Sequence, residues 1–124
     1  MNDDVRIKRA YEPASDEDGQ RVLVDRLWPR GISKDKARLD HWLKEVAPSA
    51  ELRKWFDHKP ERWPEFKRRY REELDANPAL AELRAFAGRG RLTLVYGARD
   101  EAHNDAVVLA ELLAGDGGNR KRGD

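Results

Sequence analysis

A chain of 124 residues has room for one hydrophobic core and not for a second. Its 25 Lys+Arg against 24 Asp+Glu leave a formal net charge of +1, which excludes a generally basic nucleic-acid coat protein while leaving room for a local basic groove. With no cysteine, disulfides, thiolate catalysis and cysteine-ligated metal sites are excluded, as suits a reducing compartment.

The opening "MNDDVRIKRAY" has no apolar stretch behind its basic residues, and no apolar run approaches the roughly 20 residues that cross a bilayer. The expectation is a soluble cytoplasmic domain over residues 1–115 with no membrane partner. Residues 116–124, "DGGNRKRGD", read as a flexible basic tail, since no apolar side chain there can anchor it.

Val5 to Tyr11 alternates apolar and basic residues, the period of a half-buried strand. "EPASDEDGQ" (12–20) is acidic and rich in breakers, hence a loop. Arg21 to Asp25 is a second strand whose unbroken Val22-Leu23-Val24 centre indicates burial on both faces, as in a parallel sheet. "HWLKEVA" (41–47) reads as a short strand, and Pro48-Ser49 then opens a helix reaching about Phe56. Trp63, Phe66, Tyr70 and Leu74 recur at helical spacing, between Pro60 in a first turn and a stop at Asn77-Pro78. Leu80, Leu83 and Phe86 mark another short helix closed by Gly88 and Gly90. "RLTLVYG" (91–97) is a second fully apolar strand, and a last helix runs from about His103 to Leu113, ended by Gly115.

Strands alternating with helices predict a single-domain α/β fold, a Rossmann-like, mostly parallel sheet with helices on both faces. Right-handed crossovers would bring the carboxyl end of every strand to one edge, where open α/β sheets bind ligands. That edge would collect Asp25, Arg26, Arg30, Lys44, Ser49, Arg99, His103 and Asn104, with two helix amino termini near Ser49 and Asn104. Arginine forks and helix amino termini favour an anion, planar carboxylate or phosphate above all.

Each residue also has a structural reading. Asp25 can pair with Arg26 or Arg30 to hold its loop, and Trp28 can cap the core rather than stack on a base. Lys44 can be a solvated strand-edge lysine. His103 is either a surface residue or a proton carrier, and Asn104 or Asp105 can be a helix cap. His41, His58 and His103 show no metal-ligand spacing, so no metal is expected. "KRRYREE" (67–73) contains the four-apart pairs Glu65–Arg69, Arg68–Glu72 and Arg69–Glu73, which favour a salt-bridged solvated face over a nucleic-acid stripe.

"RVLVDRLWPRG", "WLKEVAPSAELRKWF", "FKRRYREEL" and "LTLVYGARDEAHNDAVVL" closely resemble the YeaO-like branch of the domain of unknown function 488 family, from Val5 to Leu113. The resemblance implies a Rossmann-like α/β fold without a settled activity, and some members are described as methyltransferase-like. A methyltransferase would need a glycine-rich turn after the first strand for S-adenosylmethionine. Here that turn is "EPASDEDGQ", with one glycine and four acids. The leading reading is therefore an anion site for a small phosphorylated or nucleotide-like ligand, with His103 as the candidate catalytic residue and no cofactor assigned. A docking surface for nucleic acid or a protein partner is the alternative, and methyl transfer ranks last.

Overall fold

A computed structural model describes residues 4–118 of the chain. Four strands, β1 (Val5–Arg9), β2 (Gln20–Leu23), β3 (His41–Trp42) and β4 (Leu92–Tyr96), form one sheet in the order β1-β4-β2-β3, and every neighbouring pair is parallel. The two strands with unbroken apolar centres are the interior ones. Val22 lies beside Leu94 and Leu23 beside Val95, and all four side chains are buried. This is the α/β arrangement with an interior parallel pair that the apolar runs predict.

Five helices connect and cover the sheet: α1 (Lys34–Ala37), α2 (Ala50–Phe56), α3 (Trp63–Asp75), α4 (Ala79–Gly88) and α5 (Asp105–Gly118). Their distribution over the two faces is unequal. Val22, Val24, Leu92, Leu94 and Tyr96 point into the larger core with Leu52, Phe56, Phe66, Tyr70, Leu83 and Leu109. The opposite face carries Ala10, Leu23 and Val95, closed over by Trp28 and Leu39. Trp28 is thus a core lid, its indole N–H donating to the Ile32 carbonyl at 2.6 Å. Burying each large aliphatic or aromatic side chain contributes about 1.5–3 kcal/mol, so most of the stability lies on the α2–α5 side.

The second face also buries charge. Asp18 is 6% exposed and Arg21 3% exposed, joined at 2.6 Å, with Lys8 at 3.2 Å from the same carboxylate. The remaining guanidinium N–H groups of Arg21 donate to the Ala37 carbonyl, tying α1 onto β2. Next to this network Gly19 adopts φ 66, and a Cβ there would stand 2.5 Å from the Arg91 carbonyl oxygen. The close approach of β2 to the start of β4 therefore requires glycine.

Two elements differ from their sequence-based expectation. Residues 41–47 are a strand only at His41–Trp42, then a 3-10 turn over Lys44–Val46. Leu43 still donates to the Leu23 carbonyl, but β2 ends there, and the chain closes on itself to bury Val46. The last helix begins at Asp105 rather than His103, because Asn104 is its cap, accepting from the Val107 N–H at 3.1 Å. It also runs through Gly115 to Gly118, since a glycine inside a helix weakens it by about 1 kcal/mol without terminating it. Asp116–Gly118 of the expected tail are therefore helical, and the rest of that tail lies outside the described residues.

No helix among the described residues is long and apolar enough to cross a membrane.

Candidate functional site

β2 and β4 are neighbours and parallel, so the segments that follow them leave the sheet side by side. Between those segments and α2 opens a cleft of about 380 Å³. Asp25, Arg26 and Leu27 line it from the segment after β2, and Ala98, His103 and Asn104 from the segment after β4. Asp105, the first residue of α5, completes that side. Arg53, Lys54 and Phe56 of α2 face it, followed by Asp57 and His58. This is the carboxyl-edge position expected of an open parallel sheet.

Asp25 does not pair with Arg26 or Arg30. Its Oδ2 accepts the Gly97 N–H at 2.8 Å, and its carboxyl is hydrogen-bonded to that of Asp105. Burial pushes Asp105 well above the usual carboxylate range, and the charge of Asp25 beside it adds to the rise. Burial raises Asp25 as well, opposed by its hydrogen bonds to Asp105 and Gly97 and by the positive charge of Arg53. Two like charges in contact cannot both form cheaply, so the pair resists losing both protons, and Asp105 is displaced further than Asp25.

His103 is fixed from two sides. Its Nδ1 lies 2.8 Å from Asp100 Oδ2, and its ring meets the edge of Trp63 at a centroid distance of 5.2 Å. The bond from His103 holds Asp100 below the ordinary carboxylate range. That contact engages Nδ1, so Nε2 is the ring nitrogen not bound to Asp100. Asn104 is spent on structure: it caps α5, donates to the Asp100 carbonyl and bonds the Tyr96 hydroxyl.

Of the residues expected at this edge, the cleft brings together Asp25, Arg26, His103 and Asn104. Arg30, Lys44, Ser49 and Arg99 are not among the residues lining it. Arg30 is exposed, and its carbonyl accepts the Tyr11 hydroxyl at 2.9 Å. The Lys44 ammonium stands 5.1 Å from the centre of the Trp42 ring, and Arg99 is exposed.

Ser49 caps α2 by accepting from Leu52 N–H, and it donates its hydroxyl to Glu73 at 2.6 Å. Glu73 is thus turned away from the expected pairing with Arg69, whose guanidinium lies over the Trp55 ring and bonds Glu65. Ser49→Ala should cost about 1 kcal/mol in denaturant unfolding, the ordinary worth of a cap.

Sequence reasoning missed Arg53, Lys54, His58 and the role of Asp105. Arg53 was within reach: it lies one helical turn after Ser49, already read as a helix start at this edge. His58 carried no such signal. It reaches the cleft because Asp57 and His58 are both left-handed, at φ 49 and φ 53, where the chain leaves α2 for α3. Among the described residues no group of three or more His, Asp or Glu side chains is placed to hold a metal ion.

The chain is similar to uncharacterized proteins of two bacteria. The uncharacterized protein Rv3073c of Mycobacterium tuberculosis is 55% identical over 111 residues, covering 90% of this chain and 94% of its own length. The uncharacterized protein YeaO of Escherichia coli K12 is 44% identical over 110 residues, covering 88% of this chain and 96% of its own. No solved structure matches the chain. The resemblance carried by D-R-L-W-P-R-G is borne out, for the family model of the inactive DUF488-N3 subclade matches residues 4–123 and the chain belongs to that family.

Proposed function

We propose that this protein binds a small phosphorylated or nucleotide-like ligand in the cleft at the carboxyl ends of β2 and β4. The observation that carries this reading is the set of cations on its wall. Arg26, Arg53 and Lys54 line the cavity beside apolar Leu27, Pro48, Phe56, Phe66 and Ala98 and beside the acids Asp25, Asp57 and Asp105, and among the described residues none of the three cations is held in a salt bridge. Guanidinium forks match phosphate oxygens, and an apolar wall strengthens each such bond by excluding water. The volume falls within the range of small-molecule sites.

The family description, an inactive subclade, favours binding over turnover. Should the cleft support a reaction, His103, oriented by Asp100, is its proton carrier. The near-zero net charge weighs against a nucleic-acid groove. Methyl transfer stays last: the turn after β1 has no glycine-rich cradle, and its buried Asp18 is committed to Lys8 and Arg21. The absence of cysteine supports the cytoplasm as the place of action.

Thermal unfolding against inorganic phosphate, pyrophosphate, sugar phosphates and nucleotides tests the reading. A ligand at 100 times its Kd should stabilise the fold by about 2.7 kcal/mol. Arg53→Ala and Arg26→Ala should each weaken binding about tenfold or more while barely shifting the unliganded Tm. If every phosphate compound leaves the Tm unmoved, the reading is wrong. Steeply salt-dependent oligonucleotide binding, with a log–log slope near −4 to −5 for duplex DNA, would transfer the site to nucleic acid.

A further inference from the structure

We propose that the Asp25–Asp105 carboxyl pair grips a vicinal diol, so that the ligand of the cleft is a phosphorylated sugar, free or as the ribose of a nucleotide. This rests on the reading that the cleft takes a phosphorylated ligand, and it specifies the part of that ligand which is not phosphate.

The cleft is chemically divided. Arg26, Arg53 and Lys54 offer donors and positive charge, with Asp57 beside them at the end of α2, whereas Asp25 and Asp105 on the sheet side offer carboxyl oxygens. A phosphate cannot sit against the carboxyl pair, because its oxygens are acceptors of the same sign. What touches the pair must donate hydrogen bonds. An ammonium group would donate too, but Arg26, Arg53 and Lys54 line the same cleft and repel a further cation. A neutral donor satisfies both constraints.

The supply of acceptors suits two hydroxyls. Asp25 Oδ2 is engaged by the Gly97 N–H at 2.8 Å, and one hydrogen bond joins the two carboxyls. Lone pairs remain on both groups, and both residues are partly exposed and line the cleft. Adjacent hydroxyls on a sugar ring sit at about hydrogen-bond spacing from each other, so each can meet one carboxyl. Phe56, Phe66, Leu27 and Pro48 then face the carbon skeleton. Once a ligand covers the cleft, an acceptor left without its hydroxyl has no water to replace it, so the pair discriminates against a ligand lacking one hydroxyl.

The test is titration calorimetry on the full-length chain with adenosine monophosphate, deoxyadenosine monophosphate, ribose phosphate, deoxyribose phosphate and inorganic phosphate. The diol compounds should bind about tenfold or more tightly than their deoxy counterparts. Discrimination within the nucleotide pair alone, or within the sugar-phosphate pair alone, supports the proposal and identifies the source of the diol. Asp25→Asn should erase that discrimination while retaining the affinity for inorganic phosphate, an effect that a merely structural carboxylate would not have. Asp105→Asn provides the same readout should the first variant fail to fold. Equal binding of ribose and deoxyribose compounds overturns this proposal and leaves the phosphate reading intact. Absence of binding by every compound overturns both.

Discussion

Asp18→Ala is expected to lose about 3–5 kcal/mol of folding free energy, the largest effect anticipated for a single substitution in this protein. The Arg21 guanidinium is almost wholly buried beneath the sheet, 2.6 Å from the Asp18 carboxylate, and its other N–H groups are taken by the Ala37 carbonyl. Removing Asp18 strands that charge away from water with only a neutral carbonyl for company. It also frees Lys8 and the Ser15 N–H, both of which bond the same carboxylate.

The check is guanidinium unfolding, read as a lower midpoint at an unchanged slope. Burial alone would raise the Asp18 carboxyl, but the Ser15 N–H, Lys8 and Arg21 outweigh it and hold the group below its ordinary value. A depressed carboxyl contributes its stability above the unfolded pKa, near 3.9, and loses it as pH falls through the folded value. The deficit of the variant should therefore shrink on acidification below about pH 4. Adding Arg21→Met should recover much of the loss, since an apolar side chain there has no charge to strand.

Asp105→Asn should act in the opposite direction, stabilising the protein at neutral pH. Burial and the neighbouring Asp25 charge raise the Asp105 carboxyl well above its ordinary range. The unfolded chain ionises this group freely near pH 3.9 while the folded chain keeps it protonated, so stability falls as pH rises toward the folded value. An amide does not ionise and so escapes that cost. Asparagine can still donate to Asp25 and accept from the Ala106 N–H that the carboxyl now engages.

The groups facing the pair are the Gly97 N–H, Arg53 from α2 and the Tyr70 hydroxyl of α3, which donates to Val46 and is itself raised by burial. None of them loses a partner in the variant. Unfolding measured from about pH 5 to pH 8 should show a flatter profile for Asp105→Asn than for the native chain. A variant less stable than the native protein across that range would show that Asp105 is ionised in the fold.

Local pattern alone was enough for much of the fold. Val22-Leu23-Val24 and Leu92–Val95 are apolar without alternation, and a strand with no polar face has nowhere to go but the interior of a layered sheet. The stripe Phe66, Tyr70, Leu74 announced α3, and Ser49 announced the start of α2, because helical period and capping chemistry act within a few residues. The placement of a cleft after β2 and β4 followed from parallel pairing, as did the presence there of Asp25, Arg26, His103 and Asn104.

What lay beyond the sequence depends on partners distant along the chain. Asp25 had two arginines close by, and its sequence invited a local ion pair. The carboxyl instead meets Asp105, because β4 inserts between β1 and β2 and delivers the start of α5 to the end of β2. Glu73 had Arg69 four residues before it on the same helix, yet packing of α2 on α3 offers it the Ser49 N–H and hydroxyl, two bonds in place of one exposed ion pair. His58 reaches the cleft only through two left-handed residues that no local signal requires. Composition and period thus determined which segments are strands and helices and at which edge of the sheet a cleft opens. Strand order and helix packing decided which charges face each other inside it, since a desolvated carboxyl takes its character from whatever the fold brings within a few ångströms.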